Sequence, residues 1–239
     1  MDSLPLHCFF VQYNKNFVIQ HHDAYHFFLD AEDAHKLQQC LSPNRRAEIV
    51  ISKTATKAFL QLLSGTAHHA VNGNTIVIDN KQYWLSLSHT DNNVVAISIF
   101  QKPHGIDIES TVRDVAYRNA IIHRYFSTGE QQFVNQSLLN KTKRFISLWT
   151  IKEAIAKLKG LSLAQALQYD TILNAEGLFL SNVTLFKNYS CGLAFGDSSC
   201  DKLFVTIYTA DERDVLHVLC GCGRYRIRTS DLLHVRQAL

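Results

Sequence analysis

Between Asp30 and Gly65 apolar residues recur at helical spacing, at Leu37, Leu41, Ile49, Ala55, Phe59, Leu60 and Leu63, which predicts helices that open the first half of the chain. Ser42-Pro43-Asn44 interrupts the run, and Ser42 is placed to cap the helix that follows. The pattern then shortens. Asn72-Gly73-Asn74 marks a turn, Ile76–Ile78 and Tyr83–Ser88 alternate as strands, and Asp91-Asn92-Asn93 turns the chain into a strand over Val94–Phe100. Lys102-Pro103-His104 breaks the pattern before one more short strand, Gly105–Glu109.

The second half repeats the order of helices and then strands. Helices are predicted over Val115–Phe126, Gly129–Leu138 and Lys141–Lys159, and strands near Tyr169–Leu173, Phe179–Phe186, Gly192–Phe195 and Leu203–Tyr208. Lys57–Gly65 echoes Lys152–Gly160, an apolar helix stopping at Gly each time. The reading is an α+β chain with an N-terminal part over 1–103, a C-terminal part over 104–222 and a tail over 223–239.

Composition narrows the class. With 46% hydrophobic and 19% charged residues the chain can bury a sizeable core, which excludes a disordered or fibrous protein. No apolar run is long enough to cross a bilayer and no secretion signal opens the chain, so the expected setting is cytoplasmic. The six cysteines contain no Cys-x-x-Cys pair, so buried thiols are expected rather than a zinc or redox site.

The tail changes the reading of charge. Residues 223–239 carry four Arg against one Asp, a surplus equal to the whole net charge of +3. The body is therefore neutral and offers no field to steer nucleic acid or a membrane surface. Lacking an amphipathic period, the tail is expected to lie outside the fold. Ile227-Arg228-Thr229 back-translates as ATT CGA ACC, the complement of a transfer-RNA T-loop sequence, which points to read-through; a basic arm for RNA or lipid is the competing reading.

Three segments carry candidate chemistry. In His104-Gly-Ile-Asp-Ile-Glu109, Asp107 and Glu109 share one face of a strand. At ~6 Å and an effective dielectric of ~20 their repulsion is roughly 3 kcal/mol, which a bound cation would reverse. Such hard oxygen ligands suit Mg²⁺, although alone an Asp-x-Glu strand reads as the wet face of a sheet. Along Phe145–Gly160, Glu153 and Lys157 lie one helical turn apart, opposite an apolar stripe. They read as an exposed ion pair or as an acid beside a phosphate-binding cation. In Leu85-Ser-Leu-Ser-His-Thr90, Ser86 and Ser88 face opposite Leu85 and Leu87, and His89 sits at a turn. No nucleophile elbow surrounds Ser88 and His89.

Taken in order, Leu85-Ser-Leu-Ser-His-Thr90, Gly105-Ile-Asp-Ile-Glu109, Arg124-Tyr-Phe-Ser-Thr-Gly-Glu130 and Leu148-Trp-Thr-Ile-Lys-Glu-Ala154 with Lys157 resemble the signature of the surfactin-type 4′-phosphopantetheinyl transferases, over about Ser42 to Ser162. The resemblance implies two similar subdomains related by a pseudo-two-fold, each a helix on a small, mainly antiparallel sheet, with the active site between them. It implies Mg²⁺-dependent transfer of the phosphopantetheine arm of coenzyme A to a serine of an apo acyl or peptidyl carrier protein, releasing 3′,5′-ADP. By motif position Asp107, Glu109 and Glu153 would hold Mg²⁺. Glu153 would also take the serine proton, Lys157 would contact the transferring phosphate, and Ser88 and His89 would meet the 3′-phosphate side of coenzyme A.

Departures concern the nucleotide end. The family's Gly-Lys-Pro loop is replaced by Val77-Ile-Asp-Asn-Lys-Gln-Tyr83, where Lys81 is the substitute. Arg45, Arg46 and Lys53 are the further basic positions expected to meet coenzyme A. A homologue that binds coenzyme A or a carrier protein without catalysis is the alternative. Val112–Phe126 is the expected carrier-facing segment, and two halves in one chain make a monomer sufficient.

Overall fold

A computed structural model describes residues 6–65, 71–91, 93–113, 118–136, 140–172, 177–196, 202–220 and 228–236. The chain opens with strand β1 (Leu6–Gln12), not with the expected helical cover. Helices α1 (Lys15–Gln20), α2 (His22–His26), α3 (Ala31–Gln39) and α4 (Pro43–Ser64) follow. The interruption read from Ser42-Pro43 is real. Ser42 accepts the Arg45 N–H as N-cap, Pro43 occupies the first turn, and Gly65 ends α4 in the left-handed conformation at φ 76°.

Strands β2 (Val71–Asn72), β3 (Thr75–Ile78), β4 (Lys81–Thr90) and β5 (Val94–Phe100) form the expected meander. Together with β1 and the later β9 (Lys202–Asp211) and β10 (Arg228–Arg236), they make a seven-stranded sheet ordered β10-β9-β1-β5-β4-β3-β2. Only β1 and β9 pair in parallel. The core on the α4 face contains Phe9, Val11, Ile51, Ala55, Phe59 and Ile97.

The second body contains β6 (His104–Ser110), α5 (Arg118–Tyr125), α6 (Thr128–Asn135), α7 (Lys141–Lys159), α8 (Leu163–Gln168), β7 (Phe179–Leu185) and β8 (Tyr189–Phe195). Its sheet is antiparallel, ordered β6-β8-β7. The mixed α+β class is thus as expected, with one long helix against each sheet. Among the described residues no helix is long and apolar enough to cross a membrane.

Several expectations are corrected. The second part does not run to 222, because β9 and α9 (Glu212–Cys220) return to the first body, where β9 lies beside β1 and Val215 and Val218 join its core. The tail is not wholly outside the fold: Arg228–Arg236 pairs antiparallel with β9 as an edge strand, held by a backbone ladder on one side, which needs no amphipathic period. Tyr169–Leu173 is no strand. Residues 169–172 make a turn after α8, and the rest of that expectation falls outside the described residues. Cys8 and Cys191 are buried, but Cys40 is half-buried and Cys220 exposed; Cys200 and Cys222 lie outside the described residues.

The bodies meet where β4 passes β6, and side chains stand in for a backbone ladder there. Ser86 Oγ accepts the Ile106 N–H at 3.0 Å and Ser88 Oγ accepts the Ile108 N–H at 3.3 Å. The serines are therefore buried while Leu87, on the opposite face of β4, is exposed. The loop between β5 and β6 is pinned by His104, whose Nε2 lies 2.7 Å from Ser98 Oγ and whose Nδ1 lies 3.1 Å from the Lys102 carbonyl. A neutral ring donating from Nδ1 and accepting at Nε2 satisfies both contacts.

Burial pushes His104 down from 6.5 to about 4. Its contribution to stability is complete above the unfolded value and is lost as pH falls from 6.5 towards about 4. The loss amounts to roughly 3 kcal/mol. The difference in unfolding free energy from urea titration between wild type and His104→Gln, followed from pH 7 to 4, is expected to narrow by that amount; a constant difference contradicts the assignment.

Helix α7 presses on its sheet at two glycines. A Cβ on Gly105 would fall 1.9 Å from the Ala154 carbonyl oxygen, and one on Gly192 would fall 2.4 Å from the Thr150 carbonyl carbon. Both obstacles are helix backbone and cannot rotate away. Gly192→Ala is expected to lower stability by about 3 kcal/mol or more in denaturant unfolding; a loss below about 1 kcal/mol contradicts this packing.

Candidate active site

Strand β6 is buried along its whole length, carboxylates included. Asp107 and Glu109 are each only 7% exposed, so this Asp-x-Glu is not a wet sheet face. Asp107 Oδ1 accepts from Ser88 Oγ at 2.7 Å and from Lys157 Nζ at 2.9 Å, and Lys157 also donates to the Ile106 carbonyl at 2.8 Å. The close approach permitted by Gly105 brings α7 near enough for Lys157 to reach β6. Glu109 accepts the Ser110 N–H at 2.8 Å through Oε1 and pairs through Oε2 with Arg113. Arg113 also reaches Asp91 at 3.2 Å.

Glu153 lies one turn before Lys157 and is half-buried, with no hydrogen bond or ion pair among the described residues. Burial raises its carboxyl above the usual range; Asp107 and Glu109 add to the rise and Lys157 opposes it. Glu109 is also raised, by burial first, with the Ser110 N–H and Arg113 pulling the other way. The three carboxylates therefore share one field. Among the described residues no three groups of metal-ligating type converge to enclose an ion; Lys157 and Arg113 hold Asp107 and Glu109. As a donor set, three carboxylates of hard oxygen beside a lysine fit Mg²⁺.

A second cluster stands on the β4–α4 side. His89 Nε2 lies 3.1 Å from the Arg45 guanidinium, and Arg45 donates to Glu48 at 3.1 Å, which Lys15 reaches at 3.0 Å. Because Arg45 can only donate, the His89 proton sits on Nδ1. Burial lowers His89 below the ordinary imidazole value; Arg45 and Lys157 add to this, against Glu48 and Asp91. Glu48 is opposed by burial, yet Lys15 and Arg45 outweigh it and keep the carboxyl below its usual range.

The structure thus gathers Ser88, Asp107, Glu109, Glu153 and Lys157 in one place and joins Arg45 to His89. It does not bring the other basic candidates there. Arg46 turns its Nε to the Cys40 carbonyl and locks the α3–α4 turn. Lys53 pairs with buried Asp33 at 2.9 Å, tying α3 to α4. Lys81 begins β4 while His89 nearly ends it, a separation of about 26 Å at ~3.3 Å per residue. A cavity of about 660 Å³ between the end of β1 and the start of α9, near Tyr13, Asp211 and Asp214, includes none of these residues.

Sequence reasoning missed Glu48 and Arg113. Arg113 lies four residues from Glu109 in the sequence, but its link to Asp91 is made only by the fold. It also missed a strut behind the site. Lys152 and Glu130 are fully buried and paired at 2.8 Å. Lys152 also donates to the Leu167 and Tyr169 carbonyls, and Glu130 accepts from the Thr171 N–H and hydroxyl and from the Ser127 N–H. Next to Glu153 in sequence, this pair fixes α7 against α6 and the turn after α8. Glu130→Ala strands a buried ammonium and is expected to cost about 3–5 kcal/mol. Glu130→Gln combined with Lys152→Met should cost clearly less in chemical denaturation, and an equal cost in both variants contradicts the pairing.

Residues 103–177 match the model of the 4′-phosphopantetheinyl transferase superfamily. The 4′-phosphopantetheinyl transferase psf-1 of Bacillus pumilus is 33% identical to this chain over 106 residues, 44% of this chain and 44% of that protein. The chain thus matches less than half the length of that relative.

Proposed function

Starting from a chain whose residues 103–177 carry the 4′-phosphopantetheinyl transferase superfamily segment, we propose that it transfers the 4′-phosphopantetheine group of coenzyme A to a serine of an apo acyl or peptidyl carrier protein. The observation that carries this reading is the burial of Asp107 and Glu109, with half-buried Glu153 in the same field and Lys157 on Asp107, at the junction of the two sheets. Burying acids side by side is costly. It is rational where a divalent cation and a pyrophosphate complete the charge balance. The junction between the bodies would be the coenzyme A cleft, and the pairing of α4 with one sheet and α7 with the other would be the expected pseudo-two-fold.

Asp107, Glu109 and Glu153 would hold Mg²⁺, which when bound would supply positive charge to offset that of the pyrophosphate. To free those carboxylates, Lys157 moves its contact from Asp107 to the transferring phosphate and Arg113 releases Glu109 towards Asp91. His89 and Arg45 would receive the 3′-phosphate. Its arrival offsets the cost of a charged imidazole, so His89 becomes a better anion partner on binding. Glu153 would also accept the carrier serine proton, directly or through water. The serine oxygen forms a bond to the pantetheine-bearing phosphorus as the bond to the other phosphate breaks, and 3′,5′-ADP leaves with the electron pair. Val112, 68% exposed, would stand at the start of the carrier-facing surface. A cytoplasmic setting and a monomer suffice for this chemistry.

Intact-mass measurement on apo carrier proteins incubated with coenzyme A tests the reading. The wild type is expected to add one phosphopantetheine in Mg²⁺ and none with excess chelator. Glu153→Gln should lose about a hundredfold or more in rate with an unchanged melting curve. Near wild-type turnover by Glu153→Gln removes it as the base; coenzyme A binding without transfer to any carrier favours the non-catalytic homologue.

A further inference from the structure

The start of α7 borders a cavity of about 290 Å³ whose charged lining is wholly basic: Lys143, Arg144 and Lys187. Asn140, the N-cap of α7, lines it too, yet makes no side-chain bond to the helix, and the first turn contains no acidic residue. Lys141, Lys143 and Arg144 instead crowd the positive end of a 19-residue helix, where cations are repelled. Arg118 adds another, donating to Thr142 Oγ1. Among the described residues Lys143 and Lys187 have no acidic partner, and Arg144 donates only to the Phe133 carbonyl and the Gln136 side chain.

A separate observation concerns the wall of the same cavity. Thr111, which lines the cavity, is 8% exposed, and its hydroxyl is buried with no partner among the described residues. Such a donor is costly to leave unmade. Asn182, by contrast, is satisfied by Thr150 and Ser190 and gives that wall a fixed polar surface. One class of ligand relieves every one of these features together: an anion with several acceptor oxygens, placed against the helix start, the Thr111 hydroxyl and the two lysines.

We propose that this cavity is a binding site for a tetrahedral oxyanion of the phosphate class, distinct from the Arg45–His89 cluster. The anion accepts from Thr111 and neutralises the cations at the start of α7, so its binding stiffens the α7 N-terminus against the β7–β8 turn that contains Lys187.

Equilibrium dialysis of inorganic phosphate against the full chain, at constant ionic strength set with chloride, tests this. The background is Arg45→Ala with His89→Ala, which removes the other anion cluster. One equivalent of phosphate is expected to bind saturably. Adding Lys143→Ala and Lys187→Ala should weaken it at least about tenfold, whereas Lys143→Arg with Lys187→Arg should retain it. Glycerol phosphate tells the source: equal affinity assigns the site to a phosphate borne on a larger molecule, and weaker affinity assigns it to the free ion. The proposal is overturned if phosphate shows no saturable binding over chloride, or if binding survives undiminished without the two lysines.

Discussion

The contact on which the rest depends is the seating of α7 against β6 and β8 at two residues without side chains. Gly105 and Gly192 leave room only for the helix backbone. This proximity lets a lysine on one element reach both a carbonyl and a carboxylate on another. It also turns Glu153 towards two further acids that raise its proton affinity. Were the helix held off by one methyl group at either position, Lys157 would lose Asp107 and the carboxylates would open to water. The glycine at the end of each long helix plays a lesser part, stopping α4 and α7 through a left-handed residue.

The electrostatics follow from that packing. Three acids with one shared field are a liability to folding, and the fold answers it locally with Ser88, Lys157, Arg113 and the Ser110 N–H. Each of these is a replaceable partner: a cation bound to the acids and a phosphate bound to the lysine would take over the same charges. Behind them, the Lys152–Glu130 pair is closed on all sides by carbonyls, amides and a hydroxyl. On the proposed reading one ion pair is built to persist and the other to exchange, although Lys152 and Lys157 lie on the same helix.

What the sequence reveals, and what it conceals, divides along physical lines. Local signals are faithful. The Ser42 cap, the Pro43 start, the turn at Asn72–Asn74 and the helix Lys141–Lys159 all appear where the pattern puts them. Pairing between distant segments is not local. The apolar run Leu6–Gln12 does not say which strands flank it, and nothing in Lys202–Asp211 says that it lies parallel to that strand, so the division at residue 222 does not survive. The candidate site behaves the same way. Asp107, Glu153, Lys157 and Ser88 are legible from motifs because each sits at a fixed register on a strand or helix. The basic positions are not. A lysine or arginine on α4 reads identically whether it meets a ligand or a neighbour, and only the fold shows Lys53 on Asp33, Arg46 on a carbonyl and Lys81 at the far end of its strand. Polar alternation separates the two faces of β4 but does not say which is buried. Ser86 and Ser88 face inward because they take the place of a missing backbone ladder between the two sheets.

The central claim is that Asp107, Glu109 and Glu153 act together on one divalent cation. Titration of Mn²⁺ into the protein with coenzyme A present, followed by electron paramagnetic resonance, tests it most directly. One ion per chain is predicted, with affinity lowered at least about tenfold by each of Asp107→Asn, Glu109→Gln and Glu153→Gln. An ion bound as tightly without any one of these carboxylates, or no bound ion at all, contradicts the account.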